Sequence, residues 1–399
     1  MSTTVRYMQE FYFPRQKAGI ETFTANTAIS VQSDFLPVET FWSDTRMAFG
    51  NPPRWDLLVP DEVLIAEQMP LGTLEPLSER ARQAGIDLDS WLAAGIDRFR
   101  IDAELYAIPY VSMSNTLIYR KDILDRYDIA VPTTWDELRL AALAAQAALQ
   151  RAGVEDVAGF TSRGLAGYGH NYWIVGSTIL PSWGWDWQRV GGNPPLVDQP
   201  QVVAAVEFYS ALLREAGPPH SEKLTFSDTH VLYSEGKAVF LLDAATELAT
   251  MRREEPQSSG NLSGIAVVPV GPTGVPEPGL YSPAYCIPAS SKVKTDAWSL
   301  LAHLISPEEM AADTFVGGYA EPPRQTIIES EQYAEEFGSA FQSVVLETRT
   351  NARINRPMIP YGFDLGEIVG RAVERVIAGE IGAAEAITIA QREVDGRSW

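Results

Sequence analysis

The chain has 399 residues, a formal charge of −21 and a single cysteine, Cys286. That length exceeds one ordinary hydrophobic core and suits two lobes, while 45% hydrophobic and 21% charged residues exclude long disorder. The dispersed acidic charge disfavours nucleic acid and anionic lipid, no apolar run approaches the ~20 residues that span a bilayer, and one cysteine excludes an intrachain disulfide and a thiolate metal cluster.

Met1-Ser2-Thr3-Thr4 runs straight into a strand at Val5–Met8. No basic segment and apolar stretch precede it, as a secretory signal requires. The expectation is a mature domain behind a replacement start codon. Further strands are expected at Ile29–Gln32, Asp56–Val59 and Leu105–Ile108, with helices between them. Such alternation predicts an α/β lobe with a largely parallel sheet. The irregular stretch Pro109–Asn115 then leads into a strand at Thr116–Arg120 without an intervening helix, which suggests passage to a second lobe.

Thr134-Trp135-Asp136-Glu137, after Pro132, is a capping box, and it opens a helix through Leu149 with Leu138, Ala141, Ala142, Ala145 and Leu149 on the core face. Pro200 sits in the first turn of another helix, with Val202, Val206 and Leu213 inward. Strands follow at Ala238–Leu242, Ile265–Val268 and Tyr285–Ile287. Ser306-Pro307-Glu308-Glu309 caps a helix, and Asp364–Ala378 forms a helix with Ile368, Ala372, Val373 and Val376 inward. The Pro/Gly-rich run 271–279 reads as a surface loop.

Four stretches carry a resemblance: Trp55–Glu62; Tyr106–Pro109 through Leu117–Asp122 to Pro132–Leu138, with its "PxTWDEL" signature; Tyr233–Phe240; and Arg356–Pro360 with the helices after it. In this order, across nearly the whole chain, they resemble the extracellular solute-binding proteins of bacterial ABC importers, the sugar- and maltose-binding group. Lys237-Ala238-Val239-Phe240 departs from the family's small-Met ending by a core change only. The resemblance implies a two-lobed α/β periplasmic-binding-protein fold of type II character, with a hinge between the lobes and the ligand in the cleft. The expected lobes are discontinuous: 1–110 with about 262–316, and 111–261 with about 317–399. It also implies a binding protein rather than an enzyme, with no cofactor or metal, monomeric, and periplasmic or attached to the cell surface. Its expected partners are a small carbohydrate or polyol and the importer's permease subunits; nucleic acid is not among them.

A neutral polyol needs carboxylates, amides or arginine for paired hydrogen bonds and flat aromatics for its C–H faces. The candidates lie where strands end and loops begin. Asp61 and Glu62 follow the strand at 56–59; Asp243 and Thr246 follow the strand at 238–242. Both carboxylate positions would serve equally as helix caps. Tyr12 and Arg15 lie in the loop after the first strand, and Trp42 follows a later one. The Gly-rich run 162–173 supplies Arg163, His170 and the stacking candidate Trp173; it lacks the Lys-Ser/Thr ending of a phosphate loop. Ser112 and Asn115 at the crossover, Tyr281 beside the strand containing Cys286, and Arg324 complete the set. Trp183, Trp185 and Trp187 read as mostly structural, and Arg356 as a structural ion pair.

The competing class is a carbohydrate hydrolase using a carboxylate pair such as Asp61 and Asp243. A binding protein serving a chemoreceptor or sensor is a third reading. No G-x-S-x-G elbow is present, and His170, His220, His230 and His303 lack metal-ligand spacing. Arg15, Arg163 and Arg324 keep an acidic sugar derivative open, though a neutral mono- or disaccharide-sized ligand is preferred.

Overall fold

Strand β1 (Thr4–Glu10) holds the centre of the first sheet, with β2 (Ser30–Leu36) parallel on one side and β3 (Leu57–Leu58) parallel on the other. A central parallel strand is covered on both faces and so needs apolar residues at successive positions; Tyr7 and Met8 are both fully buried. Helix α1 (Arg15–Asn26) makes the crossover from β1 to β2, and α2 (Glu62–Gln68) follows β3. The structure is a computed structural model, and it describes residues 3–10, 15–37, 41, 44–45, 47–167, 169–185, 197–255, 257–353 and 361–397. The stretch expected as one strand at 105–108 is two short ones. Strand β4 (Arg100–Ile101) turns back on β5 (Glu104–Leu105), and β6 (Ile108–Pro109) belongs to a separate pair.

The chain then enters a second compact unit. Its sheet has the order β10-β7-β9-β8, from β7 (Met113–Arg120), β8 (Ala158–Thr161), β9 (Ala238–Ala244) and β10 (Ser263–Val267). Strand β7 is antiparallel to β10 and β9, whereas β8 and β9 are parallel, with Thr161 opposite Leu241. Helix α3 (Trp135–Arg151) starts at the expected capping box: Thr134 Oγ1 accepts the Glu137 N–H, and Glu137 accepts from the Thr134 backbone. Gly159 lets α3 lie close to β8, because a Cβ there would meet the Ala142 carbonyl oxygen at 2.3 Å. Helices α4 (Pro200–Ala216), α5 (Phe226–Ser234) and α6 (Ala245–Glu254) complete this stretch.

Returning to the first unit, β12 (Ala284–Tyr285) pairs with β6, and Leu58 bridges Cys286. Helices α7 (Lys294–Leu304) and α8 (Pro307–Phe315) follow, with Leu300, Leu301 and Met310 in the core around β1. Ser306 caps α8 as expected, accepting from the Glu309 N–H. The last crossing brings α9 (Ser339–Asn351), α10 (Gly362–Ile377) and α11 (Ala383–Asp395) to the second unit, where α10 and α11 pack together and against α4.

The first unit comprises Met1–Met113 and Tyr281–Glu336; the second takes Ser114–Leu280 and the chain after Glu336 apart from Met358–Pro360. The later crossings differ from the sequence expectation. The stretch from about 262, expected in the first lobe, joins the second unit because β10 pairs along β7 and the Val270 N–H bonds the Thr133 carbonyl at 2.8 Å. The stretch after 316, expected in the second lobe, stays in the first unit as far as Glu336. There the Glu321 and Pro323 carbonyls accept the N–H groups of Ser112 and Leu92 at 3.1 and 2.8 Å.

Candidate functional site

In the second unit, the β8–β9 pairing ends at Thr161 and Leu241, and β9 continues to Ala244. Arg163 and Asp243, each two residues beyond the Thr161–Leu241 pair, therefore meet. Arg163 donates from Nε to Asp243 Oδ2 at 3.0 Å and from Nη2 to Oδ1 at 2.7 Å, the planar two-bond match of guanidinium to carboxylate. Its Nη1 donates to the Gly169 carbonyl at 3.0 Å, and its plane lies 4.8 Å from the Phe226 ring centre. Asp243 Oδ1 also accepts the Ala244 N–H at 2.8 Å. Glycine is required at 164, where a Cβ would lie 1.8 Å from the Ser221 carbonyl oxygen. The sequence reading singled out both members of this pair, but not that they bind each other.

Thr246 and Glu247 occupy the first turn of α6, and both are buried. Burial, and then the Asp243 charge, push the Glu247 carboxyl above its ordinary value. His230 on α5 places Nδ1 2.8 Å from Glu247 Oε2 and Nε2 3.3 Å from Glu255 Oε1. Burial alone would lower the imidazole, but Glu247 and then Glu255 outweigh it and raise His230 from 6.5 to about 9. The imidazolium is therefore favoured by folding. Its contribution is complete below about pH 6.5, declines by up to about 1.4 kcal/mol per unit above that, and is gone beyond about pH 9. Thermal melts between pH 6.5 and 9 should show this decline in the native protein and lack it in His230→Gln. Equal slopes in the two proteins would refute it.

Asn115, wholly buried at the start of the second unit, donates from Nδ2 to Thr178 Oγ1 at 2.8 Å and to Ser177 Oγ at 3.3 Å. Its Oδ1 has no partner among the described residues. Ser177 and Thr178 lie on a π-helical turn, Val175–Ile179, an irregularity frequent at functional sites. Trp173, in the helical turn just before, is 5% exposed. His170 caps that turn and lies against Gly167.

In the first unit, Asp61 is the N-cap of α2, accepting the Val63 N–H at 2.8 Å. Glu62 is fully buried; its Oε2 lies 2.7 Å from Arg98 Nη1 and accepts the Ser282 N–H. Both carboxylates thus have structural employment, which for Asp61 is the capping alternative. Ser112 Oγ lies 2.9 Å from Ser282 Oγ, satisfying a buried crossover. Arg324 lies 4.0 Å over the Trp91 ring and donates to Ser90 Oγ at 2.6 Å; its Nε has no partner among the described residues. Tyr281 closes β11 (Leu280–Tyr281) and is half-buried. Tyr12 and Trp42 lie outside the described residues; Arg15 opens α1, and its side chain lies outside them.

Sequence reasoning missed a buried polar network on the β1 face that carries Tyr7 and Gln9. Tyr7 OH bonds Gln9 Oε1, Tyr285 OH donates to Gln16 Oε1 at 2.8 Å, and Gln16 Nε2 donates to Asp313 Oδ2 at 3.2 Å. The available signal was Gln9 itself, an amide placed by strand alternation on the same face as a core tyrosine.

A family model described as bacterial extracellular solute-binding protein matches residues 18–338. The mannitol-binding protein of Pseudomonas aeruginosa is 27% identical over 80% of this chain and 75% of its own length. The erythritol/L-threitol-binding protein of Mycolicibacterium smegmatis is 25% identical over 78% of this chain and 68% of its own. Among solved structures, an ABC-transporter solute-binding protein of Agrobacterium radiobacter in complex with ribitol superposes with a TM-score of 0.86, at 21% identity, covering 99% of this chain and 98% of that one.

Proposed function

Since this chain belongs to the bacterial extracellular solute-binding proteins, the ligand-capturing components of ABC importers, we propose that its solute is neutral and polyhydroxylated, a sugar alcohol or a sugar of similar size. The observation that carries this is the Arg163–Asp243 pair. A guanidinium whose edge binds both oxygens of a carboxylate forms a neutral pair, which retains guanidinium N–H donors and a carboxylate lone pair. A hydroxyl group both donates and accepts, so it can use that combination. An acidic sugar would compete with Asp243 for the same cation and approach a protein of charge −21. Relatives named for mannitol and for erythritol or L-threitol support the polyol class. The partners that follow are permease subunits at the membrane, with the protein acting as a monomer in the periplasm or at the cell surface. The reading assigns no turnover: solute leaves unchanged.

A thermal-shift panel on ligand-stripped protein tests it, using D-mannitol, ribitol, erythritol, maltose and D-gluconate. A ligand at ~100 times its dissociation constant stabilises by about 2.7 kcal/mol. Neutral polyols should raise the melting temperature, gluconate should not, and the bound compound should be recovered intact. Stabilisation by gluconate alone, or conversion of any compound, would overturn the proposal.

A further inference from the structure

We propose that Gln9 donates a hydrogen bond to an oxygen of the bound solute, and that the network reaching back to Asp313 favours that facing of its amide. The inference rests on the reading of the chain as a receptor for a neutral hydroxylated solute. Gln9 lies near the C-terminal end of β1, the end of a parallel strand at which open α/β layers take their ligands. It is wholly buried, and its Nε2 has no hydrogen-bond partner among the described residues. Buried donors in that condition are rare in native proteins and call for an explanation.

The polarity of the network gives one. An ionised carboxylate only accepts, so Asp313 holds the Gln16 amide with Nε2 toward itself, at 3.2 Å, and Oε1 toward the tyrosines. Tyr285 OH takes one lone pair of that oxygen at 2.8 Å, while Tyr7 OH stands farther from it, at 3.2 Å. The Tyr7 proton is therefore available to Gln9 Oε1, the bond it makes. Each bond sets the direction of the next, and the series ends on the Gln9 NH2 group. What completes it must be an acceptor: a hydroxyl or ring oxygen fits, an ammonium does not. A reversed Gln9 amide would present an acceptor, and it would turn the Tyr7 proton from Gln9 to Gln16 Oε1 across the longer 3.2 Å contact.

Two measurements on the full chain decide the matter. Isothermal titration with D-mannitol and with ribitol should show Gln9→Glu binding about 10- to 100-fold more weakly than the native protein, because an acceptor replaces the donor at the same shape. Asp313→Asn, which permits both amides to turn, should weaken binding less, and should have no further effect once Gln9 is Glu. Affinity of Gln9→Glu within threefold of native would overturn the proposal. The second measurement needs no ligand. Gln9→Met removes an unfilled donor, so the solute-free protein should melt at or above the native temperature. A fall of several degrees would make Gln9 a structural residue and end the proposal. Should no polyol bind the native protein, the solute assignment fails, while the melting of Gln9→Met still decides the role of Gln9.

Discussion

Replacing Arg98 by leucine should lower the melting temperature of the first unit by roughly 10 °C, the largest stability effect expected of a single substitution here. Arg98 and Glu62 have side chains 1% and 0% exposed, and the same Glu62 oxygen accepts the Ser282 N–H. Removing the guanidinium leaves a carboxylate buried without its counter-charge, which costs about 3–5 kcal/mol. For a unit of this size that is about 2–4 °C per kcal/mol. The cost lies in the unpaired charge rather than in the lost attraction, so Arg98→Leu combined with Glu62→Met should recover most of it. Calorimetry of the single and double variants separates these terms. A double variant no more stable than Arg98→Leu would refute the account.

Substitution of Arg163 should have the largest effect on solute capture. Arg163→Leu removes the cation from Asp243 and the cover from Phe226, so it should lose both affinity and stability. Arg163→Lys is the more informative change. Lysine keeps the charge but offers a point donor in place of a planar fork, so it should restore most of the melting temperature while leaving polyol affinity about 10- to 100-fold below native. Native affinity in Arg163→Lys would remove the paired guanidinium from the site.

The parts of the fold that were legible in the sequence are those decided by near neighbours. Thr134 and Glu137 announce the start of α3 because the capping bonds span three residues. The strand carrying Asp243 was legible from its apolar run, although β9 continues through Asp243 to Ala244, past the end expected at Leu242. Glu62 illustrates the opposite case. Its place after a strand suggests a ligand contact, and nothing local tells that Arg98 and the Ser282 backbone will occupy it. The same holds for Gln9, whose orientation depends on Asp313 through Gln16 and the tyrosines, groups brought together only by the finished sheet. The misplaced crossings arise similarly: β10 reads as a strand from its residues, but its partner β7 lies far back in the chain.

The threading of the chain through its two units bears on the order in which it can fold. Tyr285, Ile287, Leu300 and Leu301, which close the core around β1, lie beyond the whole of Ser114–Leu280. At translation rates of ~5–20 residues per second, the opening 113 residues wait on the order of 10–30 s for them. During that interval Val5, Tyr7, Met8, Leu57 and Leu58 lack the part of their core that residues 284–310 supply. A nascent chain released early would therefore be prone to aggregate through its first-made strands. Chaperone dependence during synthesis should follow from the order of segments rather than from any weakness in the final packing.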